Sequence, residues 1–377
     1  MTSNPNANLD QIIDQAVAKT PNCKMFMFIL PFDSGTLYPN LKRISDCRLG
    51  IPTQCVVHKK LFKANDQYYT NVALKVNHKL GGTNNKLKEK LPLFDKPTMV
   101  LGAASVLGDV THPGGGSNAP SIASVVGSIT PDANLYVARV EFQESRIEYI
   151  EKFQSMFFHC LRLFKTKSGV LPERILYYRD GVGEGMFKEI KRLEIEAMLK
   201  AFDQVPKPYS PNIKTPNYRP TISMIVVQKR HHARFFPINP QDQDRSSNCP
   251  AGMVVETGIT HPVHLQSQAG LQGTSRPTHY HVLHDENKFT PDALQELTNK
   301  MCYLQGRCTR SVRIVPAVYH ADLVCFRARC HLNNLDAWSH SSQGKSDVKP
   351  EDLASKISQK LERGYVMIVL GDVESLT

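Results

Sequence analysis

Long apolar runs and paired cysteines are both missing from this sequence. No stretch of about 18 apolar residues occurs, so no membrane-spanning helix is predicted. The N-terminus has no charged segment followed by an apolar one, so no signal peptide is predicted either. The nine cysteines form no Cys-x-x-Cys pair. This argues against a zinc site or a disulfide framework. It predicts reduced core cysteines in a cytoplasmic protein, a nuclear location being the alternative.

Acidic residues are in the minority, and the imbalance is uneven along the chain. The 377 residues hold 46 Lys and Arg against 35 Asp and Glu, a net charge of +11. Residues 1–96 alone hold 14 Lys and Arg against 7 Asp and Glu. A basic balance suits a polyanionic partner, nucleic acid before a membrane surface, although a merely soluble basic protein would show it too. The length predicts two domains, each able to bury its own core.

The first 96 residues alternate between strand-like and helix-like patterns. The predicted elements are, in order, a strand at 25–30, a helix at 38–48, a strand at 53–57, and a helix from Asn65 or Asp66 to Gly81. Strands that alternate with helices in this way form a parallel sheet. The first part of the chain is therefore predicted to be a small α/β unit.

Polar side chains of these elements form a candidate anion site. Lys75 and Lys79 are four residues apart on one helix face, and so are Tyr38 and Lys42. Two lysines at this spacing repel each other mildly unless an anion lies between them, and a terminal phosphate carries about two negative charges. We therefore expect one phosphate to be bound jointly by Tyr38, Lys42, Gln54, Lys75 and Lys79. The alternative is a solvated lysine face.

Acidic residues end two of the predicted strands in the second part of the chain. The first apolar run closes at Asp109, and a later strand closes at Asp180. Between them lie two more predicted strands and an amphipathic helix at 145–164 that carries Glu148. This order is that of a ribonuclease H-like sheet, in which neighbouring strand ends would place Asp109 and Asp180 side by side.

Two carboxylates that lie side by side need a cation between them, because like charges repel. Hard divalent ions with oxygen ligands, Mg²⁺ or Mn²⁺, suit the pair best. Two such ions about 4 Å apart would hold the attacking and the leaving oxygen of a phosphoryl transfer. The sequence therefore predicts a two-ion site.

Several motifs in one order resemble the eukaryotic Argonaute family. Those similar to its PIWI domain are Gly-Asp-Val-Thr-His-Pro at 108–113, Tyr-Arg-Asp-Gly-Val at 178–182, Gln-Lys-Arg-His-His at 228–232, Gln-Gly-Thr-Ser-Arg-Pro at 272–277, Arg-Cys-Thr-Arg-Ser-Val at 307–312 and Phe-Arg-Ala-Arg at 326–329. Those similar to its MID domain are Tyr-x-x-x-Lys-Arg at 38–43, Thr-Gln-Cys at 53–55 and a stretch at 74–85. The resemblance implies a fungal-type MID–PIWI portion of a longer protein. A Rossmann-like MID domain is expected at 1–96 and a ribonuclease H-like PIWI domain at 97–377.

The resemblance implies metal-dependent cleavage of target RNA under the direction of a small guide RNA. The family's catalytic set falls on Asp109, Glu148, Asp180 and Asp322, with Glu144 and Glu151 as alternatives for the glutamate. Asp109, Asp180 and Asp322 would hold Mg²⁺ or Mn²⁺. One departure is an insertion of five residues, 104–108, before Asp109. We expect it to bulge at the strand edge without displacing Asp109.

The resemblance also implies how guide and target are bound. The guide's 5′ phosphate would contact Tyr38, Lys42, Gln54, Lys75, Lys79 and Arg327. The guide backbone would contact Arg230, Arg234, Arg276 and Arg307. The expected partners of this monomer are a 5′-phosphorylated guide RNA, a complementary target RNA and silencing-complex proteins, with no membrane. Two alternatives stay open: a guide-binding scaffold that does not cut, and an unguided nuclease of the ribonuclease H or integrase type.

Overall fold

A computed structural model describes residues 9–32, 37–106, 120–145, 147–205, 217–258, 263–266, 273–331 and 369–370. None of the helices found in these ranges is long and apolar enough to cross a bilayer. The strands fall into a two-stranded sheet and a nine-stranded sheet. Helices accompany both sheets, which confirms the predicted α/β class.

The small sheet and its helices belong to the first part of the chain. The elements are α1 (Leu9–Lys19), β1 (Phe26–Leu30), α2 (Leu37–Arg43), a π-helical turn (Ile44–Leu49), β2 (Thr53–Val57), α3 (His58–Leu61) and α4 (Asp66–Lys79). β1 and β2 pair in parallel, with Phe26 opposite Thr53. The Asn65 side chain caps α4 by accepting a hydrogen bond from the Tyr68 amide at 3.0 Å. The predicted strand–helix order and this cap are confirmed.

The large sheet begins at Thr98. Its strands are β3 (Thr98–Val106), β4 (Ser121–Ser128), β5 (Tyr136–Gln143), β6 (Arg174–Asp180), β7 (Thr221–Gln228), β8 (Val254–Val255), β9 (Val263–Gln266), β10 (Thr278–Asp285) and β11 (Val369–Leu370). Their spatial order is β11-β5-β4-β3-β6-β7-β10-β9-β8. β3, β6 and β7 are parallel at the centre, and the outer pairs are antiparallel. The domain boundary at 96/97 stays a prediction.

Four helices cover the two faces of the large sheet. They are α5 (Phe153–Ser168) and α6 (Phe187–Asp203) on one face, and α7 (Pro291–Met301) and α8 (Pro316–His331) on the other. Alternate β3 residues enter the two cores: Met99 and Leu101 face α5 and α6, while Val100 and Ala104 face α8. Both faces are therefore buried, as expected for a sheet with a parallel centre.

The helix predicted from Ser145 begins later than expected. α5 starts at Phe153, so Glu148 lies in the loop before it. The Gln143 side chain holds this loop, since its amide donates to the carbonyls of Ile147 at 3.0 Å and Tyr149 at 2.7 Å. These bonds satisfy backbone groups outside a helix, which is why an amphipathic pattern did not extend the helix to Ser145.

Gly102 lets α8 lie directly on β3. A Cβ atom at this position would collide with the backbone of Ala317 and come within 2.7 Å of the Val318 nitrogen. Because backbone cannot move aside like a side chain, Gly102→Ala should lower the free energy of unfolding by about 1–3 kcal/mol. The urea-unfolding midpoint measures this. Gly185→Ala is the control, since nothing lies within 4 Å of its added Cβ. Equal midpoints for the two variants would contradict the expectation.

Candidate phosphate pocket and acidic site

Two lysines from different helices meet at the start of β2. The Lys42 side chain is only 1% exposed, and its Nζ donates to the Thr53 carbonyl at 3.0 Å and to the Thr53 hydroxyl. The Lys79 Nζ donates to the same carbonyl at 2.7 Å and to the Gln54 Oε1 at 2.7 Å. Tyr38 adds its ring, whose centroid lies 5.4 Å from the Lys42 Nζ. Four of the five residues expected at the phosphate are thus brought together.

Lys75 and two arginines add charge to this cluster. Burial and the charge of Arg307 lower the pKa of Lys75. Arg307 was expected along the guide backbone, but it acts electrostatically on both Lys75 and Lys79. Asn85 fixes the loop that carries Arg307, because its amide donates to the carbonyls of Gln305 at 2.8 Å and Cys308 at 3.0 Å. We name the group Lys42, Lys75, Lys79, Arg307 and Arg327 the cation cluster.

The cation cluster is short of negative charge. Burial, followed by the charge of Lys42 and of two arginines, lowers the pKa of Lys79 from 10.5 to about 6. Burial and the charge of Arg327 likewise lower the pKa of Lys42 to about 8. Positive side chains that destabilise one another's charged forms create a strong potential for an anion. The cluster can therefore bind a group that carries more than one negative charge.

Arg327 reaches the cluster from α8 and is anchored by an acid. Both Asp46 carboxylate oxygens accept hydrogen bonds from the Arg327 guanidinium, one of them at 3.0 Å. His331 Nε2 lies 3.1 Å from the same carboxylate. Burial alone would raise the pKa of Asp46, but the hydrogen bonds from His331 and Arg327 outweigh it and hold this pKa well below its usual range. Asp46 therefore joins the first unit to α8 and orients Arg327.

Three other arginines predicted to contact the guide lie in loops at the large sheet. Arg230 follows β7, and Arg276 precedes β10. His279 of β10 pairs with Gln228 of β7, so both arginines lie at the same end of these strands, which we call the sheet edge. Both side chains are exposed there. Arg234 instead turns back, since its guanidinium donates to the carbonyls of His231 at 3.1 Å and Ala233 at 2.6 Å. The edge thus presents two exposed positive charges outside the cation cluster.

The same edge carries the acidic site, formed by Asp180 at the end of β6 and Asp322 on α8. The Lys229 Nζ lies 2.6 Å from the Asp180 Oδ2 and is also hydrogen bonded to the Asp322 carboxylate. Burial, and then the charge of Asp180, raises the pKa of Asp322 to about 6, although Lys229 opposes this. Lys229 was not among the predicted residues. Its position directly after β7, the parallel neighbour of β6, was the available signal.

Glu148 lies beside the turn that follows β6. Its Oε2 accepts from the Gly183 amide at 3.3 Å, and its carbonyl accepts from the buried Arg179 side chain at 2.5 Å. Gly183 is three residues beyond Asp180, so Glu148 is near the acidic site. Its contacts are nevertheless to backbone and to Arg179, and Lys229 bonds the two aspartates.

The predicted two-ion site is not complete in the described part of the chain. Asp109 lies outside the described residues, and β3 places Ala104 opposite Asp180. Among the residues that the structure describes, no group of three or more His, Cys, Asp or Glu side chains could hold a metal ion. Asp180 and Asp322 supply hard oxygen donors, but Lys229 already bonds both of them. The described residues therefore do not fit two divalent ions.

Comparisons with known proteins place the chain in a family. The Piwi domain model matches residues 25–333. The chain is 44% identical over 335 residues to Protein argonaute 1B of Oryza sativa subsp. japonica, covering 82% of this chain and 29% of that protein. It is 42% identical over 358 residues to Protein argonaute 10 of Arabidopsis thaliana, covering 88% and 35%. The chain thus spans about a third of the length of these relatives. Because they are plant proteins, they do not support the expected fungal type.

Solved structures agree with this placement. The C-terminal lobe of a budding yeast Argonaute superposes with a TM-score of 0.77 at 27% identity, covering 95% of this chain and 72% of that one. A Kluyveromyces polysporus Argonaute with a guide RNA gives a TM-score of 0.76 at 28% identity, covering 95% and 43%. The motifs, the sheet order and these matches agree, and the chain belongs to the Argonaute family of Piwi-domain proteins.

Proposed function

We propose that this chain binds the 5′ phosphate of a small guide RNA and presents the guide to complementary target RNA in RNA silencing. The observation that carries the proposal is the cation cluster. Lys42 and Lys79 lie close enough to share the Thr53 carbonyl, and their pKa values are lowered to about 8 and about 6. A group with two negative charges would reverse this repulsion.

The shape of the pocket suits the end of a strand. Arg327 and Arg307 act on the lysines from the second part of the chain, so cations would surround a bound anion from two sides. The Tyr38 ring is about one-third exposed and lies beside the cluster. Single-stranded RNA bases stack on such rings. A terminal nucleotide could thus place its phosphate among the cations and its base on Tyr38.

Relatives support the same ligand. The Kluyveromyces polysporus Argonaute that superposes on this chain was solved with a guide RNA. The exposed Arg230 and Arg276 add positive charge at the sheet edge, which suits backbone phosphates beyond the first nucleotide. Phosphate contacts hold a strand without reading its sequence. Target choice would then come from base pairing with the guide.

Binding of short single-stranded RNAs to the purified chain tests this function. Fluorescence polarisation should show tighter binding of a 5′-phosphorylated RNA than of the same RNA with a 5′ hydroxyl, by at least about thirtyfold, because charged partners in such a pocket contribute about 2–5 kcal/mol. Affinity for both RNAs should fall with salt, by roughly 0.7 in the logarithmic slope for each phosphate contacted. Equal affinity of the two RNAs would refute the phosphate pocket.

Cleavage of the paired target is a second candidate function. Asp180 and Asp322 favour it, because their two carboxylates together already bind one positive group, the Lys229 ammonium. This candidate assigns catalysis to Asp109, Glu148, Asp180 and Asp322, and divalent ions to the three aspartates. It requires Asp109 to complete the donor set, since the described residues supply two carboxylates at the site.

A further inference from the structure

The pairing of β3 with β6 identifies the residue that stands level with Asp180. The two strands run in parallel and in continuous register, from Thr98 opposite Arg174 to Ala104 opposite Asp180. Residues paired in this way point to the same face of the sheet. Ala104 is buried in the core cluster that includes Ala321, the neighbour of Asp322 on α8. The strand position beside the acid pair therefore carries a methyl group.

Lys229 occupies the space between the two aspartates. Its ammonium group contacts one oxygen of each, and the three side chains are mostly buried. An ammonium ion and a divalent cation compete for the same oxygens, and a hard divalent ion is bound more weakly as the number of charged oxygen ligands falls. Among the residues that the structure describes, two carboxylates and one resident positive charge give the site a net charge of −1. A third carboxylate at 104 would double this negative charge.

We infer that the acidic site of this chain is held by Lys229 in place of divalent ions, because β3 presents Ala104 where a third carboxylate would stand. On this inference, which rests on the proposed guide binding, the chain binds guide and target without cutting the target. Lys229 is then a positioning residue that offsets part of the charge of the acid pair and keeps Asp180 and Asp322 together. The next acid along the chain after Ala104 is Asp109, which lies outside the described residues.

A titration of the chelator-treated chain with Mn²⁺ tests the inference directly. Electron paramagnetic resonance measures the free ion during the titration. The wild type should show no saturable site in the micromolar range. Ala104→Asp with Lys229→Met should bind Mn²⁺ at least about tenfold more tightly, because it adds one charged oxygen ligand and removes the competing ammonium. Ala104→Asn with Lys229→Met is the matched control, with the same shape at 104 and no added charge. It should gain less than the Asp variant.

Binding of a 5′-phosphorylated RNA is measured on the same samples. Retained RNA binding shows that each variant is folded. If the wild type does not bind the RNA, the guide pocket is refuted, and the Mn²⁺ result is unaffected. If Ala104→Asp does not fold, Lys229→Met alone serves, and it should raise Mn²⁺ affinity by a smaller factor. Tight Mn²⁺ binding by the wild type that Asp180→Asn abolishes would overturn the inference. So would one defined cut in a guide-paired target, lost in Asp180→Asn.

Discussion

Lys79→Ala should remove most of the preference for a 5′-phosphorylated guide. The side chain lies in the pocket, bonded to the Thr53 carbonyl and to Gln54, and it is surrounded by other cations. Truncating one partner of such a buried charge pair costs about 2–5 kcal/mol, which is at least about a thirtyfold loss of affinity. Fluorescence polarisation with phosphorylated and hydroxyl RNAs measures the preference as a ratio.

Lys59→Ala is the control for lost charge. Lys59 lies exposed on α3, so its removal lowers the net charge equally without altering the pocket. It should weaken both RNAs slightly and leave their ratio unchanged. If Lys79→Ala behaved like Lys59→Ala, the phosphate would have to bind elsewhere on the chain.

Glu194→Ala should cause the largest loss of stability. Glu194 is 1% exposed and pairs with Arg179, which is 0% exposed, at 3.0 Å. Its second oxygen accepts from the Tyr177 hydroxyl at 2.6 Å. The substitution leaves a buried guanidinium and a buried hydroxyl without this partner, and breaking a buried pair in this way costs about 3–5 kcal/mol. The urea-unfolding midpoint and its slope measure the change.

Glu196→Ala on the same helix provides the comparison. Glu196 is exposed and bonds Lys200 at 2.8 Å, one turn along α6. Exposed pairs of this kind contribute about 0.3–0.5 kcal/mol. A similar loss in the two variants would show that burial is not what makes the Glu194 pair important. Arg179 also donates to the carbonyls of Asp180 and Glu148, so loosening it should disturb the acidic site as well.

The strands of the sheet centre were predictable because both of their faces are buried. β7 is a nearly continuous apolar run, and in β6 an apolar run at 175–178 is followed by Arg179 and Asp180 at the end of the strand. The clustering of Tyr38, Lys42, Gln54 and Lys79 was also predictable in large part. Its residues recur at helical spacing of four, which brings their side chains to one helix face. Local pattern and motif spacing were sufficient in these places.

Pairing between distant strands was not predictable from the pattern. The motif around Asp109 suggested that this acid lies beside Asp180, and the prediction stays untested because Asp109 lies outside the described residues; what the pattern did not give is the register that sets Ala104 opposite Asp180. The register depends on which side chains can pack on each face of the sheet. Val100 and Ala104 pack on the face that α8 covers. Lys229 was missed for a related reason. Its contact with two acids exists only once β6, β7 and α8 are assembled.

Helix α8 carries both Arg327 of the cation cluster and Asp322 of the acidic site. Five residues of α-helix separate them, which is an axial rise of about 7.5 Å. A helix packed along β3 and β4 cannot stretch, so the separation between the two side chains is set by the backbone rather than by the bound strand. The helix thus fixes the distance between the cation cluster and the acidic site. On the proposed function, the stretch of guide–target duplex over the acid pair would therefore be set by its distance from the guide's first nucleotide, whatever the sequence.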